Sequence, residues 1–286
     1  LKEKEMGELA DRLKEYVAKV QTHELSASDD IRRLTQKAYY NAVVAGAKQR
    51  EFMRKILPVV KTSSHRVRVF TSDANGYASK GAYKGEVPIF HPKYTSIDAV
   101  TEKAWTLPLA PKELVEDAEF GLIENEVSLA GMRLENTLNR DAISTLIDNA
   151  GHSETCDGAS PLTAIQNACV NVSDSQFTPT YMITNLKFLF TAFSITQTPF
   201  MTEGGSLNIR YISITSNGDN NWGWENAGDV GAVVLDAEMA ALILMKEDIT
   251  VKKYSDPLND LRGAIVEMKY KVVVRKPKAI CIIKHD

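Results

Sequence analysis

Residues 113–148 read ELVEDAEFGLIENEVSLAGMRLENTLNRDAISTLID. Apolar side chains return at helical steps: Leu114, Ala118 and Leu122, then Ile123, Val127, Ala130, Leu134 and Leu138, and finally Ala142 and Leu146. Glu119, Glu124, Glu126, Arg133, Glu135 and Arg140 take the positions opposite this apolar stripe. Pro111 suits a first helical turn, where its missing N–H costs nothing. A helix from there to Asp148 would have roughly 38 residues and a length of about 57 Å at 1.5 Å per residue. Few globular helices are that long. Gly121 and Gly131 are the expected bend points, each costing up to about 1 kcal/mol relative to Ala. Leu134 and Leu138 are expected to face the core.

Upstream of the helix the period is that of strands. HRVRVFT (65–71) alternates Arg66 and Arg68 with Val67 and Val69. A polar stretch, SDANGYASKGAYKGEVP (72–88), leads to a second extended segment from about Ile97 to Leu107. Two strands joined by so long a Gly-, Ser-, Ala- and Lys-rich tip form an excursion rather than a compact hairpin. The tip, Asp73–Gly85, has few large apolar side chains to offset its ordering entropy. An arm laid on a neighbouring subunit is therefore expected. It would bind through Val67, Val69, Trp105 and Leu107 along the strands and Tyr77 and Tyr83 nearer the tip, and would be mobile in the free subunit. Two helices precede it. The first carries Leu9, Leu13, Tyr16, Val17 and Val20, and the second runs from a cap at Ser28 or Asp29 through Ile31, Leu34, Ala38, Val43 and Phe52 towards Pro58.

Downstream, LTAIQNACV, NLKFLFTAF and AEMAALIL read as helices, and YMIT, IRYISIT and VGAVVL as strands. Gly151–Ser160 and NGDNNWGWENAGD read as loops. Val266, Met268, Tyr270, Val272 and Val274 line one face of a period-two strand, with Glu267, Lys269, Lys271 and Arg275 on the other and Val273 the one lapse. A short apolar strand, AICII, follows Pro277.

The 286 residues are 44% hydrophobic and 25% charged, the balance of a folded protein with a proper core. With 34 Lys+Arg against 37 Asp+Glu the formal charge is -3, which argues against a coat held on nucleic acid by a basic excess. No apolar run is long enough for a membrane span, and the charged opening LKEKEMGELADRLKEYV is not a signal peptide. Soluble and intracellular is the expectation. Leu1 in place of Met leads us to expect an upstream segment removed by processing or by choice of boundaries. Cys156, Cys169 and Cys281 form no CxxC pair, and the i, i+4 pair His152 and Cys156 lacks the further ligands a structural zinc needs. Phosphate-binding, zincin and nucleophile-elbow motifs are absent, and five histidines are scattered without triad spacing. Glu124 and Glu126 fall on different faces of a helical turn, poor placement for an acid/base pair. Neither an enzyme, a cofactor nor a metal is expected.

The order of these elements resembles the major capsid proteins of tailed bacteriophages and related archaeal head-tail viruses, whose fold is shared with encapsulins. The likeness is carried by the E-loop-like stretch Arg66 to Pro108, the spine-helix-like run 113–148, and EDITVKKYSDPLNDLRGAIVEMKYKVVVRKPKAI (247–280) with its terminal "RKPKAI". The resemblance implies an α+β fold with an N-terminal helical arm over 1–63 and an E-loop hairpin over 64–110. It also implies a peripheral domain made of the spine helix 111–149 and strands 246–286, and an axial domain over 150–245. It further implies a self-assembling icosahedral virus head built of pentamers and hexamers, enclosing double-stranded DNA without sequence-specific recognition. Portal and scaffold or protease proteins would be its partners, and the virion, assembled in the host cytoplasm, its location. An encapsulin-type shell, or a soluble enzyme or binding domain, are the alternatives.

Candidate interface residues are then Arg66, Arg68, Tyr77, Lys80, Tyr83, Lys84, Trp105, Glu124, Arg133, Trp222 and Trp224. Several keep two readings. Lys80 and Lys84 are either lysines placed for covalent crosslinking or solvated side chains of an exposed tip. Trp222 and Trp224 either anchor a neighbour or fold back on their own domain. The basic residues Lys269 to Lys284 either touch packaged DNA or line the solvent face of a strand.

Overall fold

The computed structural model describes residues 29–72, 94–111, 121–156, 161–185, 188, 210–214, 230–256 and 261–284. Helix α1 (Asp29–Arg50) is followed by the single turn α2 (Met53–Ile56), the short strand β1 (Val59–Lys61) and the hairpin strands β2 (Arg66–Ser72) and β3 (Tyr94–Val100). Strands β4 (Glu102–Thr106) and β5 (Leu109–Pro111) lead to the long helix α3 (Gly121–Asp148). Next come β6 (His152–Thr155), α4 (Pro161–Asp174), β7 (Tyr181–Asn185), β8 (Arg210–Ile214), β9 (Val230–Leu235) and the one-turn α5 (Ala237–Ala240). The two longest strands, β10 (Ala241–Asp256) and β11 (Leu261–Val274), precede a 3-10 turn (Pro277–Ala279) and β12 (Ile280–Lys284). The fold is α+β, as expected.

Two sheets organise the chain. In the first the order is β1-β10-β11-β4, with β5 also on β11; in the second it is β6-β12-β9-β7-β8. Helices α1 and α3 cover one face of the first sheet, and the hairpin β2–β3 covers part of the other. The two-sided cover accounts for the lapse at Val273. That side chain joins Ala99, Leu242 and Leu244 in a small second core, against which Val67, Val69 and Ile97 pack. Val266, Met268, Tyr270, Val272 and Val274 belong to the main core, with Val127, Ala130, Leu134, Leu138, Ala142 and Leu146 of α3. From Val127 to Leu146 the helix phase read from sequence holds except at Glu135, while the side chains of Leu114, Ala118, Leu122 and Ile123 lie outside the described residues.

Several expectations need correction. Pro111 pairs with Leu261 in the β5–β11 ladder rather than opening a helix, and α3 is described only from Gly121. Its 28 residues span about 42 Å. Gly131 marks a crossing rather than a bend. A Cβ there would stand 2.1 Å from the Val43 carbonyl oxygen, and one at Gly46 2.1 Å from that of Ser128, so α1 and α3 touch backbone to backbone. The second helix stops at Arg50 instead of running to Pro58. Buried Asn139 splices the break: its Nδ2 donates to the Arg50 carbonyl at 2.8 Å and its Oδ1 accepts from the Met53 amide at 3.3 Å. Both helix ends thus find the partners they would otherwise lack.

The segment Ile97–Leu107 is not one strand. It breaks at buried Thr101, whose amide bonds to the His65 carbonyl, and its halves join different sheets. AEMAALIL is helical for one turn only, capped by Asp236, after which Ala241 begins β10. Leu242 and Leu244 face the hairpin while Ile243 and Met245 face the helices, so the run is apolar on both sides, and such a run has no period to read. Residues 241–245 therefore sit in the first sheet, outside the 150–245 unit expected from sequence. Conversely, β12 lies between β6 and β9 of the second sheet, apart from the other strands of 246–286. Residues 152–155, expected as loop, are β6, where His152 Nε2 lies 2.9 Å from Ser175 Oγ.

Candidate subunit interface

The hairpin ladder pairs Arg66 with Val100, Arg68 with Asp98, Phe70 with Ser96 and Ser72 with Tyr94. Period-two alternation sends Val67, Val69 and Ile97 onto the subunit's own second core. This corrects the expectation that Val67 and Val69 await a neighbour. The opposite face is exposed: Phe70 and Tyr94 keep 66% and 69% of their surface, and Arg68 makes a two-pronged ion pair with Asp98 at 2.7 and 3.3 Å. The hydrogen bond from Arg68 holds the Asp98 carboxyl below its ordinary range. An apolar, salt-bridged face of this kind is what a partner could cover.

Beside this hairpin, β11 clamps its neighbours β4 and β10. On β11, Glu267 is 2% exposed and receives Lys103 of β4 and Lys252 of β10. Hydrogen bonds from Lys103 first and Lys252 second pull its carboxyl down to about 2. Lys271 pairs with Glu102, Lys269 with Glu247 at 2.9 Å, and Lys276 donates to the Ser72 carbonyl. Much of the basic series Lys269–Lys284 is thus bonded within the subunit. Glu267, expected on the strand face opposite the apolar one, is buried at the centre of a three-strand clamp.

Trp105 stands on β4, the edge strand of the first sheet, and is 63% exposed. A groove of about 370 Å³ runs from it and Thr106 to Arg133, Leu134 and Thr137 of α3. Two of the candidates, Trp105 and Arg133, are thereby brought together by elements that are distant in sequence. Arg66 and Arg68 lie on the hairpin, away from that groove. Glu124 lies on α3, while Tyr77, Lys80, Tyr83, Lys84, Trp222 and Trp224 fall outside the described residues.

Sequence reasoning missed one ionic cluster altogether. Glu135, placed there on the charged face of the helix, is 1% exposed. Arg54 Nε lies 3.1 Å from Glu135 Oε1, and its Nη1 lies 3.0 Å from Asp248 Oδ1. Burial pushes the Glu135 carboxyl up to about 7 against the pull of Arg54. Beside it a cavity of about 120 Å³ is bordered by Tyr40, Lys48, Glu51 and Ile249. The signal was Glu135's place next to Leu134 and one turn from Leu138, at the margin of the stripe. The three thiols are buried, and burial raises Cys169 to about 11 and Cys281 to about 12, leaving both protonated near neutrality. Among the described residues, no group of three or more metal-ligating side chains converges, and no helix is long and apolar enough to cross a membrane.

No family model and no curated protein matches the sequence. Solved structures do match the fold. One from Mycobacterium phage Bobi superposes with a TM-score of 0.61 at 16% identity, covering 82% of this chain and 90% of that one. The mature capsid of bacteriophage PhiM1 gives 0.60 at 11% identity, over 82% and 86%. This chain has the phage major capsid fold. A virus-like particle from Pyrococcus furiosus shares it, with a TM-score of 0.59 at 14% identity over 85% and 96% of the two chains. The sequence likeness rested on the long helix, the hairpin stretch and the closing run 247–280.

Proposed function

We propose that the chain is a shell-forming major capsid protein, many copies of which tile an icosahedral head around double-stranded DNA. The observation that carries the reading is a fold match covering most of this chain and 86–96% of the capsid and particle subunits just named. Function would then lie in contacts between copies: the hairpin with its exposed Phe70 and Tyr94, and the edge at Trp105 with Arg133 beside it. Such contacts join unlike surfaces, and repeated around symmetry axes they close rings of five and six. As the resemblance implies, the shell would enclose DNA without reading its sequence, and a charge of -3 gives it no basic excess with which to coat nucleic acid. Portal, scaffold or protease proteins would complete a virion assembled in the host cytoplasm. No catalytic residue or cofactor enters this reading.

The likeness to the Pyrococcus furiosus particle favours a second reading, an encapsulin-type compartment holding a protein cargo. Expression of the chain followed by size-exclusion chromatography and negative-stain microscopy tests the shell. Closed particles of uniform diameter are expected. A protein that stays monomeric, and whose melting point a small ligand shifts, would point instead to a soluble enzyme or binding domain. Nuclease-protected DNA in particles taken from the natural source marks a virus head, and co-purifying enzyme marks a compartment. Replacing Asn75–Lys84 by a short Gly-Ser turn is expected to leave a folded subunit that no longer closes shells.

A further inference from the structure

Lys276 stands where the chain leaves β11 of the first sheet and turns towards β12 of the second. Its backbone is fixed at that crossing. The amides of Arg275 and Lys276 share the Ala240 carbonyl at 2.7 and 3.1 Å, and the Ala279 amide donates to the Lys276 carbonyl at 3.0 Å. The Pro277 carbonyl accepts the Gly151 amide at 2.8 Å, and the Arg275 guanidinium bonds the Glu238 carbonyl. From this base Lys276 Nζ reaches across to donate to the carbonyl of Ser72, the last residue of β2.

The position of that bond matters. At the opposite end of the ladder, Thr101 holds His65 through backbone and side chain. Between the two ends, Val67, Val69 and Ile97 rest on the second core. Apolar contact is non-directional and permits the ladder to rock or slide. A charge-assisted hydrogen bond from a fixed base does not. Ser72 faces Tyr94 in the final rung, so the bond holds the two points from which residues 73–93 depart.

We propose that Lys276 is a positioning residue: it fixes the far end of the β2–β3 ladder, and with it the points at which residues 73–93 begin and end, to the junction of the two sheets. The consequence for assembly rests on the shell reading above, since the position of the ladder's end matters to assembly only if a second copy contacts this hairpin.

The test compares wild type, Lys276→Met and Lys276→Arg as full chains by amide exchange, thermal unfolding and microscopy. In Lys276→Met, exchange over 69–72 and 94–97 is expected to quicken at least tenfold. Val266–Val274 and the melting point should stay as in wild type, and Lys276→Arg should restore protection. Particles of Lys276→Met are expected to be irregular or open where wild type and Lys276→Arg give uniform shells. Unchanged exchange at the last rungs overturns the positioning role. Faster exchange throughout, with a lower melting point, also overturns it, because Lys276 would then be a general stabiliser. Local loosening with uniform particles overturns the link to assembly. A wild-type chain that never assembles counts against the shell reading instead, and the exchange comparison still decides whether Lys276 holds the ladder.

Discussion

Glu135 is a carboxyl placed where charge is expensive, and the consequence for pH is specific. Its folded-state value lies at about 7 against an ordinary 4.5. A carboxyl raised in the folded state binds its proton more tightly there than in the unfolded chain. Stability is therefore fully present below pH 4.5, declines as pH rises towards 7, and is flat above. The separation corresponds to about 3 kcal/mol, an order-of-magnitude figure. Glu135→Gln keeps the shape and removes the charge, and Arg54 retains Asp248 at 3.0 Å. The variant should gain up to about 3 kcal/mol at pH 8 and nothing at pH 4.5. Urea unfolding of both proteins at half-unit steps from pH 4.5 to 8 reads this directly. Parallel curves, or a variant weaker than wild type at pH 8, would refute the account of a net-unfavourable buried charge.

Four further substitutions separate core from surface and charge from packing. Leu134→Asp puts an unpaired charge into the main core and should cost about 3–5 kcal/mol, measured by the same unfolding experiment. Gly131→Val forces α1 and α3 apart at their crossing and should cost at least about 2 kcal/mol, whereas Arg133→Ala two residues away should stay within about 0.5 kcal/mol. Glu267→Gln strands two lysines. Because the wild-type carboxyl is depressed to about 2, its contribution is present above pH 4.5 and fades as pH falls towards 2. The variant should therefore be weaker than wild type near pH 7, and the difference should vanish in acid.

The strongest periods were legible because each reports one face against one neighbour. The stripe of α3 and the alternation of β11 both met the main core where their phases placed them. What could not be read was contact between elements remote in sequence. Val273 broke the pattern because the hairpin covers that face. ALIL lost its period because both its faces are covered. Glu135 and Glu267 read as lying opposite the apolar stripes because nothing local announces Arg54, Lys103 or Lys252. Trp105 and Arg133 were each singled out as isolated residues, yet the groove that joins them depends on β4 lying beside α3. A glycine read as a hinge proved to be a point of closest approach, a distinction that only the facing helix supplies.

Strand β6 meets the second sheet through β12 alone among the described residues, and β12 also closes the sheet against β9. A ribosome would deliver β6, α4, β7 and β9 long before the strand that joins them. Until β12 arrives, β9 lacks its partner on one side and β6 has no ladder to enter. Completion of the second sheet thus waits on a single late insertion. Unfinished polypeptides would have an open second sheet, with β6 and β9 not yet joined.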